Sequence, residues 1–283
     1  METEIDQLLN SKEGITLNTQ KTYRLYWNRF IRTGEIENVH EAGQEKLIKM
    51  IREMSDNANT RRSYVSFCIV VKKHFLKPFD ELVRERTRLV LNVQEHTKER
   101  NNETQFPTYE EMNKMLEWFY KESKWTDYAL LYLMMQFNVR NLDLDILLTK
   151  SKDGWEKNKN YLLIKQQHVV YRRANYKTVE TYGIQNHFHK NRKLVNALNA
   201  IYKEDNQPLL STDGRTKTSN IGRFIKDHTS GWGETVVFKA MVNHFRNDPK
   251  KLEEMGKLRG SDMSNVLSYY WQDKDDNGGD MSA

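Results

Sequence analysis

Apolar residues recur at spacings of three and four through most of the first hundred positions. Over residues 17–33, Tyr23, Tyr26, Trp27 and Phe30 form one aromatic stripe, which predicts a helix capped at Asn18 or Thr19 with that stripe packed into a core. Residues 40–54 repeat the spacing with Leu47, Ile48, Ile51 and Met54. A third helix, capped at Asn59 or Thr60, carries Tyr64, Phe67, Cys68, Val71 and Phe75 and stops before Pro78. A fourth starts at Asp80 and runs through Leu82, Val83, Leu89, Val90 and Val93 to Lys98. Helices without a strand predict a small all-helical domain over residues 1–99. Residues 99–105 are polar and without period, and Pro107 follows, so a linker is expected over 100–107.

Beyond the linker the pattern changes twice. Thr108 followed three positions later by Glu111 offers a capping box that opens a helix with Met112, Met115, Leu116 and Phe119 inward. The next segment, 125–137, is nearly continuous in apolar residues and is expected to be the most buried helix. Between Trp155 and Gln185 the period drops to two, at Tyr161 and Leu163, at Val169 and Tyr171, and over 181–184, which predicts a small antiparallel sheet. Helices are expected again over 189–202, 219–228, 236–247, 250–258 and 263–271. The fold class is therefore mainly α with a small antiparallel β-sheet, in a second domain over 108–272 and ahead of an acidic tail at 273–283.

Composition narrows the function. The chain has 283 residues, 30% charged and 37% hydrophobic, with a mean hydropathy of -0.85, enough apolar material for two modest cores. It has no long apolar run, and its first residues carry Glu2, Glu4 and Asp6 where a signal peptide would be basic, so membrane and secreted classes are set aside and an intracellular location is expected. The single cysteine, Cys68, precludes an internal disulfide or a multi-cysteine metal site. His187 and His189 lack a third ligand at suitable spacing, and no glycine-rich phosphate loop is present, so neither metal nor cofactor is expected. The net charge of +6 is unevenly spread: residues 150–228 hold 16 Lys and Arg against 7 Asp and Glu, a net +9. That block suits a phosphate backbone, although a solvated lysine-rich surface would have the same composition.

Three stretches carry candidate chemistry. Phe137-Asn138-Val139-Arg140-Asn141-Leu142-Asp143-Leu144 closes the apolar helix with an arginine able to fork two donors onto phosphate oxygens. Asn175-Tyr176-Lys177-Thr178 and Tyr182-Gly183 put a lysine in the expected sheet. Gly260-Ser261-Asp262-Met263-Ser264-Asn265-Val266-Leu267-Ser268-Tyr269-Tyr270 ends on two tyrosines. In this order the three stretches resemble the motifs of the tyrosine recombinase, or phage integrase, family, in the style of its mobile-element and large-virus members. Leu17-Asn18-Thr19-Gln20-Lys21-Thr22-Tyr23 and Asn59-Thr60-Arg61-Arg62-Ser63-Tyr64 are similar to the family's helical core-binding domain.

The resemblance implies a two-domain clamp on double-stranded DNA, acting as a homo-oligomer, a tetramer on DNA. It implies site-specific recombination or integration through a 3′-phosphotyrosyl intermediate. Tyr270 would be the nucleophile, with Tyr269 the alternative, Arg140 would bind the scissile phosphate, and Lys177 would protonate the leaving 5′ oxygen. Ser261 stands where the family has His or Trp. The family's second arginine is replaced by Lys239 if spacing is kept without gaps, or by Arg246, with Asn243 as the histidine equivalent, if a gap is allowed. Arg61, Arg62, Arg172, Arg173, Lys190 and Arg192 are the expected DNA contacts. The departures at Ser261 and at the second arginine keep two other functions open. One is a catalytically degenerate DNA-binding protein of the same fold, and the other is a type IB topoisomerase-like relaxing enzyme.

Overall fold

The computed structural model describes residues 3–11 and 15–270. The expected acidic tail, Trp271 and the side chain of Tyr269 lie outside the described residues. The chain divides into two compact units, residues 1–99 and 100–283. Among the described residues no helix is long and apolar enough to cross a membrane.

The first unit is built from α1 (Glu4–Ser11), α2 (Leu17–Ile31), α3 (Gln44–Met54), α4 (Ala58–His74) and α5 (Asp80–Glu103), which continues into the second unit. The aromatic stripe of α2 packs on α4: Tyr23 and Tyr26 lie 5.4 and 5.9 Å from Phe67, and Phe30 meets both Tyr64 and Phe67. The caps are earlier than the sequence predicts. Thr16 accepts from the Thr19 amide and Asn57 from the Thr60 amide, because a capping side chain stands ahead of the amide it bonds. Residues 99–103 continue α5 instead of opening a loop, since Asn101 is buried and accepts a hydrogen bond from Lys239. That contact is tertiary and left no mark in the local polarity.

The second unit opens with α6 (Tyr109–Lys121), whose capping box forms as expected. It continues with α7 (Trp125–Phe137), β1 (Ile146–Thr149), β2 (Asn160–Ile164), β3 (Val169–Arg173), α8 (Val179–Tyr182), β4 (Gln185–His189), α9 (Arg192–Ile201) and β5 (Gln207–Pro208). Then come α10 (Ile221–His228), α11 (Glu234–His244), α12 (Pro249–Arg259) and α13 (Met263–Tyr270). Eight residues of α7 are buried, on all its sides, and it packs against α6, α9, α10, α11 and α12, as a helix apolar all round must. The sheet order is β4-β3-β2-β1-β5. It is mixed where the sequence predicts antiparallel: β1 runs parallel to β2, and the other pairings are antiparallel. A helical turn over Val179–Tyr182 occupies half of the strand expected over 181–184, and the strand starts at Gln185. The mainly helical fold with one small sheet stands.

Candidate active site

The site begins at the C-terminal end of α7. Asn138 takes a left-handed conformation (φ 49°, ψ 38°), one that asparagine adopts more readily than most residues, and so stops the helix in one residue. The turn buries Val139 and carries Arg140 out at its end. Asp143 holds that turn, accepting from the Arg140 backbone amide at 2.9 Å. Asp143 is in turn paired at 2.8 Å with Arg173 of β3, both side chains being fully buried. Arg173 also donates to the Leu258 carbonyl, which ties α12 to the same turn.

Two further stretches converge there. Lys177 and Thr178 lie in the connection between β3 and β4, and Gly260 and Ser261 follow the end of α12. The Ser261 hydroxyl accepts from Arg140 Nη2 at 3.0 Å across 121 positions of sequence. Gly260, the C-cap of α12, has φ +68°, and a Cβ there would lie 2.0 Å from Thr178 Oγ1, so the loop bearing Lys177 is pressed directly onto the glycine. A cavity of about 360 Å³ results, lined by Arg140, Lys177, Thr178, Ser261 and Tyr270 among others. Asp262 caps α13, accepting from the Asn265 amide at 2.7 Å, and the helix brings Tyr270 to the cavity at its last turn. There the Tyr270 ring stands edge-on to Phe238 at 4.8 Å.

The electrostatics favour an anion. Arg140 is half-buried, and burial followed by the repulsion of Arg259 holds its guanidinium below the ordinary arginine value, offset by Asp143, Tyr270 and Glu234. It stays charged at neutral pH. Its Nη1 is buried without an acceptor in the protein, and so is Thr178 Oγ1 without a partner. An unmade buried hydrogen bond costs about 1–3 kcal/mol.

Four of the sequence-derived candidates, Arg140, Lys177, Ser261 and Tyr270, therefore share one cavity, and the others do not. Lys239 lies on the buried side of α11, bonded to Asn101 Oδ1 at 2.5 Å and over the Phe106 ring. Arg246 borders a separate cavity with Phe106, Pro107 and Tyr109. Neither reaches the site, because equal spacing along a sequence does not conserve facing once helix ends shift by a turn. Arg172 and Arg173 are buried, correcting their expected role as DNA contacts: Arg172 donates to the carbonyls of Glu156, Lys157 and Lys159, and Arg173 pairs with Asp143. Arg61 bonds the Ser55 and Arg52 carbonyls within its own unit, beside a partly buried Arg62. Lys190 and Arg192 are exposed.

The residue that sequence reasoning missed is Arg259. It is buried at the end of α12, donating to the Asn138 and Val139 carbonyls at 3.3 and 3.2 Å and to Glu234 at 2.5 Å. Its guanidinium lies 4.2 Å from the Phe238 ring and 5.3 Å from that of Tyr270. The available signal was its place immediately before Gly260, at the edge of a stretch already singled out. Among the described residues no group of three His, Cys, Asp or Glu is placed to hold a metal ion.

No protein-family model matches the chain, and no curated protein matches it. Among solved structures, the crystal structure of XerA recombinase matches over 96% of this chain and 94% of that one, with 12% sequence identity and a TM-score of 0.39.

Proposed function

We propose that the protein is a DNA strand transferase of tyrosine recombinase type, acting on double-stranded DNA through a 3′-phosphotyrosyl intermediate. One observation carries the reading: Arg140, Lys177, Ser261 and Tyr270, drawn from three distant stretches, line a single cavity. In the reaction the Tyr270 phenolic oxygen gives up its proton to solvent water, attacks the scissile phosphorus and forms a phosphodiester to the 3′ end. The bond to the 5′ oxygen breaks, and Lys177 supplies the proton that this oxygen needs to leave as a hydroxyl. Arg140 donates to the nonbridging oxygens, whose charge grows in the pentacoordinate transition state, while Ser261 fixes its other nitrogen. The tyrosyl ester conserves the bond energy, so a 5′ hydroxyl of the same or another strand reverses the step.

A second reading, a DNA-binding protein of this fold that no longer cuts, has its own observation. Among the described residues lining the cavity Arg140 is the one arginine, since Arg259 is engaged by two carbonyls and Glu234. One experiment separates the two. The protein is incubated with a nicked duplex, selected for binding from a random pool, so that the released fragment diffuses away and any covalent complex is trapped. A denaturant-resistant protein–DNA adduct is expected, absent in Tyr270→Phe and retained in Tyr269→Phe. Binding without an adduct establishes the second reading, and an adduct that persists in Tyr270→Phe overturns the nucleophile assignment. Supercoil relaxation without strand exchange would identify a topoisomerase-like enzyme.

A further inference from the structure

We propose that the buried Arg259–Glu234 pair is a positioning device that sets Arg140 and Tyr270 in register for attack, an inference that rests on the strand-transfer reading. Arg259 turns its two terminal nitrogens to groups from two other elements. Nη1 holds the carbonyls of Asn138 and Val139, the two residues that immediately precede Arg140. Nη2 holds Glu234 in the first turn of α11, the helix that also supplies Phe238. The guanidinium plane carries the Phe238 ring at 4.2 Å, and Phe238 in turn meets the Tyr270 ring edge-on at 4.8 Å. One side chain thus fixes the backbone that presents the phosphate-binding arginine and the aromatic wall that holds the nucleophile.

The next two residues complete the arrangement. Gly260 admits Thr178, neighbour of Lys177, and Ser261 engages Arg140 Nη2. Successive residues of one turn therefore reach Arg140, the ring of Tyr270 and the neighbour of Lys177. Arginine is required at position 259 because carbonyls and carboxylate lie in different directions, which a planar fork spans and a single ammonium does not. Glu234 is required because an unpaired guanidinium at this depth would be destabilised by desolvation and would repel Arg140.

The test compares Arg259→Lys and Glu234→Gln with the unaltered protein on the trapped nicked duplex. The rate of adduct formation is measured at saturating protein, together with the half-saturating concentration. Asp205→Asn serves as a control, because Asp205 holds the Thr149 and Lys150 turn and does not line the cavity. Arg259→Lys is expected to slow adduct formation on the order of 100-fold, the scale of an ångström-sized misplacement, with half-saturation changed by less than about twofold. Glu234→Gln is expected to slow it by about 10-fold, and Asp205→Asn to leave it unchanged. An adduct formed by Arg259→Lys at the unaltered rate overturns the proposal, and so does a rise in half-saturation that accounts for the whole effect. If Arg259→Lys does not fold, Glu234→Gln decides: an unchanged rate overturns it. Failure of the unaltered protein to form an adduct overturns the strand-transfer reading itself, a different result from equal rates.

Discussion

Gly260 carries two demands at once, a left-handed backbone and the near contact with Thr178. Gly260→Ala is expected to lower stability by about 1–2 kcal/mol through the backbone and by about a further 1–3 kcal/mol through overpacking against Thr178. The second part should largely vanish in a Thr178→Ala background, since Oγ1 at 2.0 Å is the nearest atom, so a double-mutant cycle in urea measures it. Lys239→Met is expected to leave adduct formation unchanged while altering thermal stability, because its ammonium is bonded to Asn101 within the interior. Arg140, Lys177, Ser261 and Tyr270 could be picked from the sequence because each sits in a short stretch with an ordered set of neighbours. Arg259 could not be told from Lys239 or Arg246 on the same grounds. What separates these three cations is which groups surround them, and several of those, Asn138 and Val139 for Arg259 and Asn101 for Lys239, lie more than a hundred positions away.

At the level of elements, most helices were legible from their apolar spacing, α1 and α8 were not, and the sheet was legible only in part. β1 has three successive apolar residues and Thr149 with no alternation, and β5 has two residues, so neither carries a period to read. The β3–β4 connection reads as strand by composition, yet Tyr176 donates to the Gly183 carbonyl at 2.6 Å and closes a helical turn between them. β4 has a further property. Burial holds the imidazoles of His187 and His189 below the ordinary value of 6.5, with Arg173 adding to the effect at His187. In the unfolded chain both take up protons as pH falls through 6.5, before the folded state does, so their contribution is complete above 6.5 and is lost as pH falls below it. The urea midpoint is accordingly expected to fall between about pH 7.5 and about pH 5.5, and less so in His187→Gln.

For the molecule as a whole, the net +9 of residues 150–228 overstates the charge offered to a partner, because two of its sixteen cations, Arg172 and Arg173, are interior. The logarithm of the DNA-binding constant is expected to fall linearly with the logarithm of salt concentration, the slope shrinking by about 0.9 for each phosphate contact removed. Lys190→Gln and Arg192→Gln, at exposed positions, should each reduce the slope. Arg172→Gln should leave the slope alone and lower the melting temperature, since three carbonyls lose their donor. The hydrogen bond from Arg140 to Ser261 spans 121 positions, and this bears on how the chain is made. Translation delivers the apolar helix, Arg140, Lys177 and the basic block first, and the Arg259-Gly260-Ser261 turn and Tyr270 well after them. Under the proposed reaction, a polypeptide ending between these points would carry the basic block but lack the proposed nucleophile Tyr270. On that same proposal, competence to cut would be conferred only once the last helix has been synthesised.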